Sequence, residues 1–233
     1  MMPPVLEFAG ISKDYHGLRP LRIERLAVAA GEQVAMLGFD QVSAEVFVNL
    51  ATGASLPDAG EVIVFGRSTA AIADSADWLA TVDRFGIVSE RAVLLDQLTP
   101  IQNLAMPFTL AVEPPADEVR VRAEALAAEI GLPADSWSRP VADLEAGAWM
   151  RIRLGRALAL DPAILLLEHA SAALNRSEAA GFAADIRAIA ARRNLAVVVV
   201  TADETFASEA AGQVLTLEPA TGRLRRGRGS RWF

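Results

Sequence analysis

Alternating and continuous runs of apolar residues divide the chain into segments of two periods. Val5 to Ile11, Leu21 to Val28 and Gln33 to Leu37 are short apolar or alternating stretches, broken by His16-Gly17 and Ala30-Gly31. This pattern predicts strands and hairpins and a β-rich opening of about 65 residues. Beyond it, strand-like and helix-like segments alternate. Gly86 to Ser89 reads as a short strand, and Ala116 to Ile130 as a helix with apolar residues at helical spacing that stops at Gly131 with Pro133 beyond it. Leu144 to Leu160 reads as another helix, ended by Asp161-Pro162 and followed by the strand Ile164 to Leu167. A helix from about Ser177 to Arg193, the strand Ala196 to Val200, a short helix near Asp203 to Ala211 and the strand Val214 to Leu217 complete the series. Continuous Val/Leu strands joined by helices imply a parallel sheet covered on both faces. No internal repeat is present.

Composition narrows the class. The 233 residues, 52% hydrophobic and 22% charged, suffice for one substantial core, and one domain over 1–233 is expected, with a helical subdomain at about 90–160 and a basic tail at 223–233. The absence of cysteine excludes thiolate catalysis and cysteine zinc sites and suits a reducing compartment. A formal charge of −7 argues against a nucleic-acid partner. No basic stretch followed by an apolar run opens the sequence, so no signal peptide is expected. The longest apolar runs fall far short of the roughly 20 residues that span a bilayer. Of the 22 basic side chains only Lys13 is a lysine, a bias that a GC-rich genome explains for surface arginines, and any chemistry that needs a lysine must use it.

In a doubly wound sheet, ligands bind at the carboxyl ends of the strands, which directs attention to the loops after Leu37, Ser89, Leu167 and Val200. The segment Leu144-Glu-Ala-Gly-Ala-Trp-Met-Arg-Ile-Arg-Leu-Gly-Arg-Ala-Leu-Ala-Leu-Asp-Pro-Ala-Ile-Leu-Leu-Leu167 resembles the signature helix and Walker B strand of the ATP-binding cassette (ABC) transporter ATPases, and Glu168-His-Ala-Ser-Ala-Ala-Leu-Asn175 lies where that family has DEPTSALD. Gly86-Ile-Val-Ser-Glu90, Leu94-Leu-Asp-Gln-Leu-Thr99 and Gln102-Asn-Leu-Ala-Met-Pro107 are similar to the Q-loop and its helical subdomain. Ile11-Ser-Lys-Asp-Tyr15 resembles the opening that carries the adenine-stacking aromatic. The resemblance covers nearly the whole chain. It implies an α/β, P-loop NTPase-like ABC ATPase fold, with a mixed or parallel sheet core, an N-terminal antiparallel β-subdomain and an inserted helical subdomain.

Set against the motifs, the site residues depart from the family. A phosphate-binding loop reads G-x-x-x-x-G-K-S/T, with backbone N–H groups and lysine on phosphates and a hydroxyl on magnesium. Here Gly38-Phe-Asp-Gln-Val-Ser-Ala-Glu45 keeps only Gly38. Ser43 replaces a glycine, Ala44 removes the ammonium, and Glu45 stands in place of the hydroxyl. Asp40 and Glu45 would each cost on the order of 4 kcal/mol against a phosphate charge ~4 Å away at an effective dielectric near 20. Glu168 takes the place of the magnesium-associated aspartate, a tolerable change for a hard cation. His169 takes that of the glutamate that activates water and is able to act as a base; the other reading makes it a polar residue left by relaxed constraint. The switch histidine is Ala202, the Q-loop glutamine Glu90 and the D-loop aspartate Asn175. In the signature Glu145 and Ala146 replace serine and glycine, Gly147 remains, Arg151 and Arg156 match family arginines that fix the helix to neighbouring loops, and Arg153 is expected to be solvated. Glu90 and Arg91 are expected to pair, and Trp78 and Trp149 to pack.

The resemblance therefore implies an ATP-binding subunit of an ABC transporter in a degenerate, pseudo-ATPase form that docks on a membrane permease and supports transport structurally. ATP and magnesium binding are expected to be impaired, with Tyr15, Gly38, Ser43, Ala44, Glu45 and Glu90 around the nucleotide and Glu145, Gly147 and Arg151 facing a partner cassette in a homo- or heterodimer. The alternatives are an unusual active ATPase, with Glu168 on magnesium and His169 as base, and a soluble regulatory cassette. A cytoplasmic position, peripheral on the inner face of the cell membrane, is expected.

Overall fold

The computed structural model describes residues 4–227. Strands β1 (Pro4–Lys13) and β2 (Leu21–Ala29) form the opening hairpin, and β4 (Ala59–Val64) with the short β5 (Arg67–Ser68) completes a four-stranded antiparallel sheet ordered β2-β1-β4-β5. The β-rich opening holds, with one insertion: β3 (Gln33–Leu37) leaves this sheet for a second one, and helix α1 (Gln41–Ala51) follows it. The second sheet is ordered β10-β9-β3-β8-β7-β6, from β6 (Phe85–Ser89), β7 (Ile164–Glu168), β8 (Ala196–Val200), β9 (Gln213–Glu218) and β10 (Arg223–Arg226). Its strands are parallel except β10, which runs antiparallel to β9. Arg223–Arg226, read from sequence as the start of a solvated tail, is thus part of the sheet, because Leu224 and its neighbours pair with Leu215 to Glu218. Residues 228–233 of that tail lie outside the described residues.

Every residue of β7 and β8 is buried, as runs covered on both faces require. Their alternation splits the core in two. Val34, Met36, Ile164, Leu166, Val198 and Val200 face α1 and the antiparallel sheet. Ala35, Leu165, Leu167, Val197 and Val199 face helices that follow later in the chain.

Those helices are α3 (Pro100–Ala105), α4 (Asp117–Glu129), α5 (Ala146–Leu158), α6 (Arg176–Arg193) and α7 (Glu204–Ala210), while α2 (Ser75–Val82) buries no residue in this core. The helices α4 to α7 match the sequence periods closely; α2 and α3 are too short for a 3.6-residue repeat to declare itself. Helix α3 announces itself by its cap, in which Thr99 accepts the Gln102 amide while Gln102 accepts the Thr99 amide, with Pro100 at the first helical position. Asn175 and Glu178 form the same box on α6, which gives the residue at the D-loop aspartate position a structural task. Where β6 crosses α5 the contact is tight enough to need glycine: a Cβ on Gly86 would lie 2.5 Å from the Ala157 carbonyl oxygen. This crossing brings the loop after β6 against α5 and, through the parallel register of β6 and β7, beside Glu168.

Candidate functional site

The strands β3, β6, β7 and β8 end on one edge of the parallel sheet, and their following loops bring Gly38–Glu45, Glu90–Val93, Glu168–His169 and Thr201–Asp203 together there. The first loop is held closed by its own residues. Asp40 is the N-cap of α1: its Oδ1 accepts from the Ser43 amide at 2.7 Å and from the Ser43 hydroxyl at 2.6 Å, and the Asp40 amide donates to Ser43 Oγ at 3.0 Å. The Ala44 amide donates to the Asp40 carbonyl at 3.0 Å. Two of the amides that a phosphate loop would offer to an anion are therefore committed internally, and the helix starts at Gln41 rather than after the second glycine position. The Ser43 hydroxyl, then its amide, hold the Asp40 carboxyl below its usual range. Asp40 thus stays charged at neutral pH, and its contribution to stability is present there and lost as pH falls through the lowered folded value. Asp40→Ala is expected to cost about 1 kcal/mol at neutral pH, Asp40→Asn far less, since asparagine caps equally well. Chemical denaturation at neutral pH and again near pH 3 checks this: the wild type is expected to lose more stability between the two conditions than Asp40→Asn does.

Gly38 survives for backbone reasons of its own. Its φ is 92°, and a Cβ there would meet the Leu217 carbonyl oxygen at 2.9 Å. Phe39, buried, packs edge-on against Phe47 of α1, with ring centres 5.9 Å apart. Ala44 is fully buried in the same cluster. Beside the loop, Tyr15, Arg19, Gly38, Asp40 and Ser43 line a cavity of about 170 Å³. That is below the roughly 300 Å³ at which ligand pockets begin. Burial, then the Asp40 charge, push the Tyr15 hydroxyl pKa up.

Glu168, at the end of β7, has a fully buried side chain, and a buried carboxylate needs a cation. Arg91 supplies it: Nε lies 3.1 Å from Glu168 Oε1 and Nη2 2.6 Å from Oε2, while Nη1 lies 2.8 Å from Glu45 Oε1. Gln41 Nε2 adds a donor to Glu168 Oε1 at 3.3 Å. The hydrogen bonds to Glu168 raise the Arg91 pKa above its usual range. The pair expected between Glu90 and Arg91 does not form; Arg91 pairs instead with Glu45 and Glu168, because those carboxylates converge on it while Glu90 is exposed and lines a separate cleft of about 390 Å³ with Leu144, Trp149 and Arg153.

The residues given catalytic roles separate in character. Both Glu168 oxygens accept from Arg91, which does not fit a carboxylate that should ligate magnesium with open lone pairs. His169 has φ 45° and donates its amide to the Val200 carbonyl; its Nε2 is buried without a hydrogen-bond partner. Ala202 follows Thr201, and Asp203 caps α7. Lys13 is tied to Asp58 at 2.9 Å, so the one lysine serves the antiparallel sheet.

On the other side of α5, Glu145, Gly147 and Arg151 do come together, lining a cleft of about 530 Å³ with Asp143 and Glu178. Glu145 is the N-cap residue without a side-chain cap bond, and Arg151 bridges to Asp185 of α6 at 2.6 Å. Arg153 is not solvated as expected: it donates to the carbonyls of Ala92 and Glu90, at 3.0 and 3.2 Å, because the loop after β6 lies across α5. Burial lowers its pKa and that of Arg156, which donates to the Val93 carbonyl at 2.6 Å. Trp149 packs with its indole N–H on the Val141 and Leu144 carbonyls, and Trp78 with its own on Thr52.

No family model matches the chain. The lipoprotein-releasing system ATP-binding protein LolD of Chromohalobacter salexigens is 30% identical over 183 residues, covering 78% of this chain and 76% of that protein. The chain belongs to the ATP-binding subunits of the ABC transporters. Methionine import ATP-binding protein MetN of Brucella abortus is 28% identical over 216 residues, 92% of this cassette, which spans 58% of that relative's length. Among solved structures, the dimeric bacterial ABC transporter cassette MJ0796 superposes with a TM-score of 0.78 at 22% identity over 96% of this cassette and 99% of that chain. The cassette cbiO1 of Clostridium perfringens superposes with 0.81 at 17% identity, over 97% and 88%. The antiparallel sheet, mostly parallel sheet and helical layer are thus those of an ABC ATPase cassette.

Proposed function

We propose that the chain is a degenerate cassette that docks on a membrane permease and supports transport structurally, paired with itself or with a second cassette, at the inner face of the cell membrane. The observation that carries this reading is the phosphate loop closed by Asp40: the amides of Ser43 and Ala44 are bonded within the loop, and no lysine replaces them. An incoming nucleotide would have to break these bonds and meet the Asp40 carboxylate with no ammonium to offset it, while the nearby Arg91 is already committed to Glu45 and Glu168. At roughly 4 to 8 kcal/mol for millimolar to micromolar affinity, the binding energy available is of the same order as that repulsion together with the bonds to be broken. No helix among the described residues is long and apolar enough to cross a membrane.

The active-ATPase alternative needs Glu168 on magnesium and His169 as base. It is disfavoured because both Glu168 oxygens already accept from Arg91, whose charge opposes a metal ion there. ATP turnover by the purified chain separates the two: none is expected, and Mg-dependent turnover abolished by His169→Ala supports the alternative. Co-purification with a polytopic membrane protein from detergent-solubilised cells is expected, and its absence favours a soluble regulator.

A further inference from the structure

We infer that Arg91 is the resident cation of this site, standing where a divalent ion would sit and fixing the loop after β6 without nucleotide. The inference rests on the reading of the site as closed and deepens it. All three guanidinium nitrogens are used, Nε and Nη2 on the two oxygens of Glu168 and Nη1 on Glu45, in the forked geometry that suits a carboxylate. The two acids come from β7 and α1, and the cation from the loop after β6, so one side chain joins three elements. Magnesium asks for six oxygens at 2.0–2.1 Å. It could reach Glu168 only by displacing Arg91, by which it would also be repelled.

A tethered cation differs from a bound one in needing no ligand concentration. The same loop is gripped from the opposite side, where Arg153 takes the Glu90 and Ala92 carbonyls and Arg156 that of Val93. The Arg91 amide itself donates to Ser89 Oγ at 3.1 Å. Residues 90–93 are therefore held between α5 on one side and α1 with β7 on the other.

Thermal unfolding of the nucleotide-free chain, first in chelator and then with millimolar manganese, tests this. The wild type is expected to melt at the same temperature in both. Arg91→Met leaves a buried carboxylate unpaired and is expected to melt roughly 5 °C lower in chelator and to regain at least half of that in manganese. Arg91→Met with Glu168→Gln removes the charge that needed the cation, and is expected to melt above the single variant and to ignore manganese. Amide exchange at 90–93 is expected to quicken in both variants, since each lacks the Arg91 tether. A wild type stabilised by manganese as much as Arg91→Met overturns the inference, as does a folded Arg91→Met indifferent to it. Should the single variant not fold, a folded, manganese-indifferent double variant still supports the inference and an unfolded one overturns it. No nucleotide is present, so either outcome is separate from whether Mg-ATP binds.

Discussion

Ala44→Lys alone is expected to leave Mg-ATP binding undetectable and to lower the melting temperature, although it restores the residue most associated with this motif. Ala44 is fully buried, so the new stem must force its way out of a packed cluster containing Phe47 and Val48. The ammonium would then find Asp40 and Glu45 nearby and form ion pairs with them. The amides of Ser43 and Ala44 would remain bonded to Asp40. The chain carrying Asp40→Ala, Ser43→Gly, Ala44→Lys, Glu45→Ser and Arg91→Gln together is expected to behave differently, because it removes the cap, both carboxylates of the loop and the resident cation at once. Its affinity for Mg-ATP is expected near 10 µM, roughly 100-fold or more above the starting chain, a gain of about 3 kcal/mol. Equilibrium dialysis with labelled nucleotide on both variants measures the difference. Micromolar binding by Ala44→Lys alone would show that the lysine, and not the Asp40 lock, decides the matter.

Phe47→Ala is expected to cost about 3–5 kcal/mol and to lower the melting temperature by roughly 10 °C. Phe47 is fully buried; its ring stacks on Phe8 of β1 with centres 4.8 Å apart and takes the edge of Phe39 at 5.9 Å. One side chain thus joins the antiparallel sheet, α1 and the phosphate-loop segment. Val42→Ala, five residues earlier on the same helix at a position 53% exposed, is expected to stay within about 0.5 kcal/mol. Calorimetry of both chains checks the contrast. The Phe47 variant is further expected to exchange the Ser43 and Ala44 amides faster, since Phe39 loses the ring it leans on.

The fold was legible because its main strands are continuous apolar runs: Ala196 to Val200 and Ile164 to Leu167 are buried on both faces and look so in sequence. Helices α4 to α7 were legible by period and caps. What period could not show was α2 and α3, each too short, and β10, whose arginines look like a solvated tail until Leu224 pairs with Leu217. At the site, the loss of the phosphate-loop lysine was readable from one position. The closing of the loop was readable in part: Asp at 40 and Ser at 43 form a helix-cap pattern that argues for early helix. Arg91 was missed as a partner of Glu168, since adjacency to Glu90 suggested a local pair. The available signal was charge: Glu45 and Glu168 both stand at cation-binding positions, and once the lysine is gone the nearest loop must supply a cation. Arg153 was misjudged for a related reason, because helical position alone does not reveal that the loop after β6 crosses over it.

This cassette keeps the ABC fold, and in the proposed reading its own side chains fill the nucleotide site. Isothermal titration of the purified chain with Mg-ATP tests it most directly. No saturable heat is expected up to millimolar nucleotide; saturable one-to-one binding at micromolar concentrations would contradict a site filled by its own side chains.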